Sequence, residues 1–314
     1  MVELKFNKRG IKVFKGDNQE VLEGIPSNSI NLTYCDILYN SGKDFDDYND
    51  NLGSPKEAVE WYRPRMMEMH RTLAENGSIY IHCNWRLDSY IRVLLDEIFG
   101  IENFRNRIYR QHSGIRGFVE NYDSQVDVIL YYTKDKNNFV FNELIGDELR
   151  EIPLIENGDL EGRSFEFTHK DFSYNPKTNN KHWLVPKGKL IELYEKGELV
   201  LIDGVPHRRT YSIPIGNLWN EEEMLDQYSR VDTAESYDTP KPPAVLDRII
   251  KISSNEGDVV ADFFMGGGTT PKRALKAGRK GVFCDISEKA CNATIKGLEK
   301  ELEEITKEET QDGK

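Results

Sequence analysis

Residues 259–286 read VVADFFMGGGTTPKRALKAGRKGVFCDI: an apolar strand, a glycine-rich turn, a helix, and a second strand ending in an acid. Gly266, Gly267 and Gly268 carry no Cβ to keep the backbone away from a ligand at the strand end. The helix is expected from Thr269 and Thr270, with Pro271 tolerated in its first turn, where a missing N–H costs little. Asp285 closes the next strand 23 residues beyond Asp262, where doubly wound nucleotide folds put the carboxylate that grips ribose hydroxyls. By itself such a turn is equally compatible with a bare strand-to-helix corner. Taken as a ligand site, it predicts an α/β fold with a doubly wound, mostly parallel sheet and an adenosine-bearing cofactor outside the carboxyl ends of its strands.

A second signal lies near the other end of the chain. Residues 30–39, INLTYCDILY, form an apolar strand that stops at Asp36 and delivers Tyr39 three residues later, followed by the polar run NSGKDFDDYNDN. The bland reading makes Asp36 a strand-ending turn acid and Tyr39 a packing aromatic. The order of the two signals argues for more. With acid and aromatic upstream of the glycine turn, the chain resembles the amino-methylating DNA methyltransferases of the permuted, beta order, and looks most like the modification subunits of type III restriction systems. The catalytic motif of that family, D-P-P-Y, reads here Asp36-Ile37-Leu38-Tyr39. Its cofactor motif, D-P-F-x-G-S-G-T-T, reads Asp262-Phe263-Phe264-Met265-Gly266-Gly267-Gly268-Thr269-Thr270. Further matches are Gly16-Asp17-Asn18, the run from Tyr39 through Gly42 to Phe45, and Thr239-Pro240-Lys241-Pro242. The likeness covers most of residues 12–135 and 236–297.

The resemblance implies the S-adenosylmethionine-dependent methyltransferase fold with an inserted target-recognition region. It implies S-adenosylmethionine as cofactor, held by Asp17, Lys241, Asp262, Phe264, Gly266, Gly268, Thr269 and Asp285. Asp36 and the backbone carbonyl of Ile37 would accept the two N–H bonds of an exocyclic amine, directing its lone pair at the sulfonium methyl. Tyr39 would stack on a base flipped out of double-stranded DNA. Aspartate at this position resembles the adenine-N6 subgroup more than the cytosine-N4 subgroup, which more often has serine. A cytosine-N4 enzyme and a catalytically silent DNA-binding or partner subunit stay open beside it. A homodimer and a restriction subunit are family expectations for partners.

Two prolines are replaced by Ile37 and Leu38, a loss of preorganisation of about 1–2 kcal/mol in all. If all of it reached the barrier, the rate would fall roughly 5- to 30-fold. Phe263 stands for a third proline and Gly267 for serine.

The formal charge of −12 speaks against a nucleic-acid partner only until its distribution is considered. Arg105, Arg107, Arg110 and Arg116 lie in an acid-free run; so do Lys177, Lys181, Lys187 and Lys189, interleaved with His182 and Trp183, and a third cluster is His207-Arg208-Arg209. Arg105, Arg107, Arg110, Arg116, Lys181, Arg208 and Arg209 are the candidate DNA contacts, although solvated faces also carry such runs. No stretch approaches a membrane span and the first ten residues lack a signal-peptide apolar region, so a cytoplasmic protein is expected. Cys35, Cys83, Cys284 and Cys291 show no metal-ligand spacing and read as buried thiols; no metal is expected.

Elsewhere the pattern alternates between helix and strand. Ser54-Pro55-Lys56-Glu57 reads as a capping box opening a helix with Ala58, Tyr62, Met66, Met69 and Leu73 on one face. Strands are expected over 78–83 and 126–133, a helix over 88–99 stopped by Gly100, and another from Pro243. Residues 134–235 show no sustained period. The expected organisation is a catalytic and cofactor domain of 1–104 and 236–298 with the strand near 126–133, a target-recognition insertion of 105–235, and an acidic tail of 299–314 that begins as a surface helix and frays.

Overall fold

The fold is that of a computed structural model, which describes residues 1–42, 44–45, 48–112, 122–225 and 241–312. The chain forms two compact units, Met1–Asn142 with Gly216–Lys314, and Glu143–Ile215.

The larger unit is built on a nine-stranded sheet. Its order is Glu3–Lys8, Ile11–Lys15, Lys280–Asp285, Val259–Asp262, Ile30–Asp36, Leu73–Cys83, Val126–Thr133, Phe104–Gln111 and Leu218–Trp219. From Ile11–Lys15 through Leu73–Cys83 every neighbouring pair is parallel, and Val126–Thr133 runs antiparallel to both its neighbours. The two signals of the sequence thus become adjacent strands: Val260 pairs with Leu32 and Ala261 with Thr33. Parallel neighbours bring their carboxyl ends to the same edge, so the turns after Asp36 and after Asp262 open on one side of the sheet.

Helices cover both faces, as a mostly parallel sheet requires. One face packs under Pro55–Thr72 and Asp88–Phe99, whose Ala58, Tyr62, Met66, Met69, Ile91 and Leu95 are wholly buried. Ser54 accepts from the Glu57 amide while Glu57 reaches back to Ser54, the capping box expected of those residues, and such a cap contributes about 1 kcal/mol. The other face packs under Pro243–Ser253, Thr269–Lys276 and Glu288–Asp312, through Val245, Leu246, Ile249, Ala274, Cys291 and Leu298. All four cysteines are buried and free.

Two expectations need correction. Phe104–Gln111 and Leu218–Trp219 are strands of the main sheet, so the compact inserted unit spans Glu143–Ile215 rather than 105–235. The acidic tail is the end of one helix running from Glu288 to Asp312. Ile295, Leu298, Leu302 and Ile305 recur on it at spacings of three and four, and this stripe against the core outweighs the acidic composition.

The smaller unit has its own core, with Phe167, Trp183 and Leu190 wholly buried. A three-stranded antiparallel sheet of Leu199–Ile202, Val205–Ile213 and Leu144–Pro153 is joined by two short strand pairs and the helix Lys187–Glu195. Its two longer strands, Leu144–Pro153 and Val205–Ile213, supply none of its buried apolar core, and the others are short, which is why no period shows in the sequence.

Candidate active site

A cavity of about 330 Å³ opens at the carboxyl ends of the central strands. Asp36, Leu38 and Tyr34 come from the strand Ile30–Asp36 and the turn after it; Asp262, Phe263, Phe264, Met265, Gly266, Gly267, Thr269 and Thr270 come from the glycine turn. Asp285, Gly16, Asp17, Trp61 and Lys241 complete much of the wall.

The glycine turn is held from two sides. Asp285 accepts from the Gly266 amide at 2.9 Å and from the Ser287 amide at 2.9 Å, which orients its carboxylate at the strand end. Asp262 accepts from the Phe264 amide at 2.9 Å and from the Thr270 hydroxyl at 2.6 Å. Burial, with the charges of Asp36 and Asp285 nearby, pushes the Asp262 carboxyl up to about 7. Gly266 and Gly268 have φ of 48° and 80°. A Cβ at Gly268 would lie 2.4 Å from Thr294 Oγ1 and 2.9 Å from Thr294 Cα, so close packing on the last helix as well as backbone hand demands glycine there. Asp17 caps the helix Asn18–Glu23 and pairs with Arg65 at 2.9 Å; that guanidinium lies 3.5 Å over the Trp61 ring. Asn18 donates to the Phe263 carbonyl at 3.0 Å, tying this helix to the glycine turn.

The donor set suits S-adenosylmethionine. The carboxylates of Asp17 and Asp285 can accept from an ammonium and from ribose hydroxyls, Phe264 and Trp61 offer apolar faces, and carboxylates outnumber the single lysine in the wall, which favours a cationic sulfonium.

The turn after Asp36 is equally well tied. Asp36 accepts from the Tyr39 hydroxyl at 2.9 Å and pairs with Lys241 Nζ at 2.9 Å, and that ammonium lies 5.1 Å from the Tyr39 ring centroid. Lys241, expected by family position at the cofactor, lines the cavity and pairs there with the Asp36 carboxylate. Ile37 donates its N–H to the His82 carbonyl at 3.1 Å, a bond that proline could not make, and the Leu38 carbonyl accepts from Tyr62 at 2.9 Å. Each such bond contributes about 0.5–1.5 kcal/mol, the size of the preorganisation lost with the prolines. Asp50, 4 % exposed, accepts from the amides of Asn40 and Ser41 and so fixes the two residues that follow Tyr39.

Behind Asp36 runs a buried polar chain that the sequence reading missed. Tyr34 hydrogen-bonds His82 Nδ1 at 2.8 Å, His82 Nε2 lies 3.3 Å from Asp127, and Arg110 donates to Asp127 at 2.7 Å. A histidine inside the apolar strand Leu73–Cys83 was the available clue. Arg110, expected to meet DNA, is wholly buried and also donates to the Met224 carbonyl at 3.0 Å, so it does not reach a phosphate. Its place follows from strand alternation: Ile108 and Arg110 point inward while Tyr109 points out.

The other expected DNA contacts are dispersed. Arg105 bonds the carbonyls of Glu102 and Asn103, and Arg107 pairs with Asp88 at 3.6 Å. Arg208 bridges Glu198 at 2.6 Å and Glu143 at 3.1 Å, Arg209 pairs with Glu151 at 2.7 Å, and Lys181 lies half-buried on a short strand of the smaller unit. Acids from elsewhere in the chain thus answer four of the five described arginines that looked uncompensated, Arg107, Arg110, Arg208 and Arg209. Arg116 lies outside the described residues.

This sheet, with Asp36 and the glycine turn lining one cavity, is the setting of an S-adenosylmethionine-dependent DNA methyltransferase. The family model described as DNA methylase matches residues 30–296, and the chain belongs to that family. It is 28% identical over 302 residues to the DNA adenine methyltransferase YhdJ of Escherichia coli K12, covering 94% of this chain and 85% of that one. It is 25% identical to the StyLTI Mod subunit, a type III restriction-modification enzyme of Salmonella typhimurium LT2, over 96% of this chain and 57% of the subunit's length. Among solved structures the PvuII cytosine-N4-specific DNA methyltransferase shares the fold with a TM-score of 0.55, at 13% identity and coverage of 94% and 90%. So does TTHA0409 of Thermus thermophilus in its complex with S-adenosyl-L-methionine, with a TM-score of 0.52, 16% identity and coverage of 91% and 92%.

Proposed function

We propose that the chain methylates adenine N6 at specific sites in double-stranded DNA, acting on a base turned out of the duplex. The observation that carries the proposal is the shared cavity: the Asp36 carboxylate, which accepts from the Tyr39 hydroxyl, on one wall, and the glycine turn with Asp285 on the other. When bound, S-adenosylmethionine supplies an electrophilic methyl group. An exocyclic amine is a poor nucleophile because its lone pair is delocalised into the ring. Asp36 accepts one of its N–H bonds and the Ile37 carbonyl the other, which favours a pyramidal nitrogen with its lone pair directed out of the ring. Tyr39, braced by its hydrogen bond to Asp36, stacks on the extruded base. Asp285 accepts from the ribose hydroxyls. Positioning supplies the rate enhancement, with no covalent enzyme intermediate.

Aspartate at the head of the catalytic motif and the likeness to an adenine-methylating relative support adenine over cytosine. The unit Glu143–Ile215, with Lys181, Arg208 and Arg209, is the proposed reader of the DNA site, and a restriction subunit and a second copy of the chain are the protein partners this reading carries. The deciding experiment incubates the protein with methyl-labelled S-adenosylmethionine and unmethylated duplex DNA, then digests to nucleosides. Label is expected in N6-methyladenine nucleoside; label in N4-methylcytosine nucleoside would move the substrate, and no label would mean a silent fold.

A further inference from the structure

Both oxygens of the Asp36 carboxylate are engaged, one by Tyr39 and one by Lys241. Transfer of a methyl group to an amine leaves a nitrogen with one proton too many, and that proton needs a destination. Beside Asp36, Tyr34 lines the same cavity and turns its hydroxyl to His82 Nδ1 at 2.8 Å. A carboxylate only accepts, so His82 Nε2, 3.3 Å from Asp127 Oδ2, carries the ring hydrogen, and the Nδ1 lone pair is left to receive from Tyr34. His82 is 0 % and Asp127 6 % exposed. Holding an ion pair of Asp127 and Arg110 in the sheet interior is costly, and such pairs contribute little to stability on their own account.

We propose that Tyr34 and His82 form a relay that takes the proton released by the methylated amine, with Asp127 and Arg110 as the residues that position it. The inference rests on the methyl-transfer reading above. In the step, the N–H bond of the cationic amine breaks and its electron pair returns to nitrogen. The proton joins the Tyr34 oxygen as the Tyr34 O–H bond breaks, and a new Nδ1–H bond forms on His82. Tyr34 ends neutral and His82 ends as an imidazolium against the Asp127 carboxylate. The reverse shift returns the proton to water once product leaves the cavity that Tyr34 lines.

The surroundings suit an acceptor. Burial pushes the His82 imidazole below its ordinary value, against the hydrogen bond to Asp127 and the charge of Asp36, so the ring rests neutral. Burial alone would raise the Asp127 carboxyl, but the hydrogen bond from His82 and the charges of Lys241 and Arg110 hold it well below the usual range. The groups facing the ring are Tyr34 and Asp36 from the strand Ile30–Asp36, the latter at 3.9 Å, Tyr39 with ring centroids 6.5 Å apart, Asp127 from the antiparallel strand Val126–Thr133, and Lys241, with Arg110 of the next strand behind Asp127. Asp36 and Asp127 stabilise the imidazolium; Lys241 and Arg110 keep it from being permanent.

The test is single-turnover methyl transfer to duplex DNA from about pH 5 to 9 with Tyr34→Phe, His82→Gln and the double variant, each checked by melting and by titration of S-adenosylmethionine. Each single variant is expected to lose about 10²-fold in rate with cofactor affinity kept, and the double variant to lose no more than either alone. The acid limb of the wild-type profile, where His82 takes up its proton early, is expected to flatten in Tyr34→Phe. A Tyr34→Phe protein at the wild-type rate throughout, or losses that multiply in the double variant, would overturn the relay. Should His82→Gln not fold, the rate and pH profile of Tyr34→Phe decide alone. Label appearing in adenine with the wild type keeps the methyl-transfer reading standing whichever way the variants fall.

Discussion

Replacing Asp36 by alanine separates catalysis from cofactor binding. The carboxylate receives the Tyr39 hydroxyl and the Lys241 ammonium at 2.9 Å each, so the substitution removes the proposed acceptor for the target amine and strips two neighbours of their partner. Loss of one preorganised electrostatic partner of a transition state costs about 10²–10³ in rate, or roughly 2.7–4 kcal/mol. Lys241, with 13 % of its side chain exposed, loses its counter-ion, and stability should fall by about 1–3 kcal/mol. The glycine turn stays held by Asp285 and Asp262, neither of which bonds Asp36. Cofactor affinity should therefore change by less than about threefold, well under the 1.4 kcal/mol of a tenfold shift. The assay is single-turnover transfer of labelled methyl groups beside a calorimetric titration of S-adenosylmethionine. Transfer at the wild-type rate by Asp36→Ala would refute the role of the carboxylate. A collapse of cofactor affinity equal to the loss of rate would make it a binding residue instead.

Three further outcomes follow from the same geometry. Asp285→Ala removes the acceptor at the strand end and frees the Gly266 amide, so S-adenosylmethionine should bind at least about tenfold more weakly, roughly 1.4 kcal/mol; an unchanged titration would exclude the ribose contact. Gly268→Ala must hold an L-residue at φ 80° against Thr294, a cost of about 1–2 kcal/mol for backbone hand and about 1–3 kcal/mol for overpacking. Denaturant unfolding within about 0.5 kcal/mol of wild type would show that the helix shifts to make room. Asp262 is raised to about 7 by burial, so the folded state holds its proton where the unfolded chain has released it, and this group costs stability progressively as pH climbs from about 4 to 7. Melting curves of Asp262→Asn should gain on wild type across that window and run parallel above it; a gap independent of pH would contradict the assignment.

The parts of this protein legible in its amino-acid order are those governed by local rules. The glycine turn, the capping box of Ser54 and Glu57, the stop at Gly100 and the apolar stripe of Pro55–Thr72 are each decided within a few residues, because backbone hand, orphan amides and helical period act at that range. The strand ends at Asp36 and Asp285 were readable for the same reason.

What only the tertiary structure decided are the partners brought from afar. No local rule pairs Lys241 with Asp36, aligns Tyr34, His82, Asp127 and Arg110 across four strands, or sets Glu198 and Glu143 beside Arg208. Strand order does, by placing Val259–Asp262 next to Ile30–Asp36 and Val126–Thr133 between Leu73–Cys83 and Phe104–Gln111. Charge seen along a sequence is a sum over neighbours in the chain. Charge at a site is a sum over neighbours in space, and so Arg110, basic by position, became a buried counter-ion behind the cavity instead of a hand on the phosphate backbone.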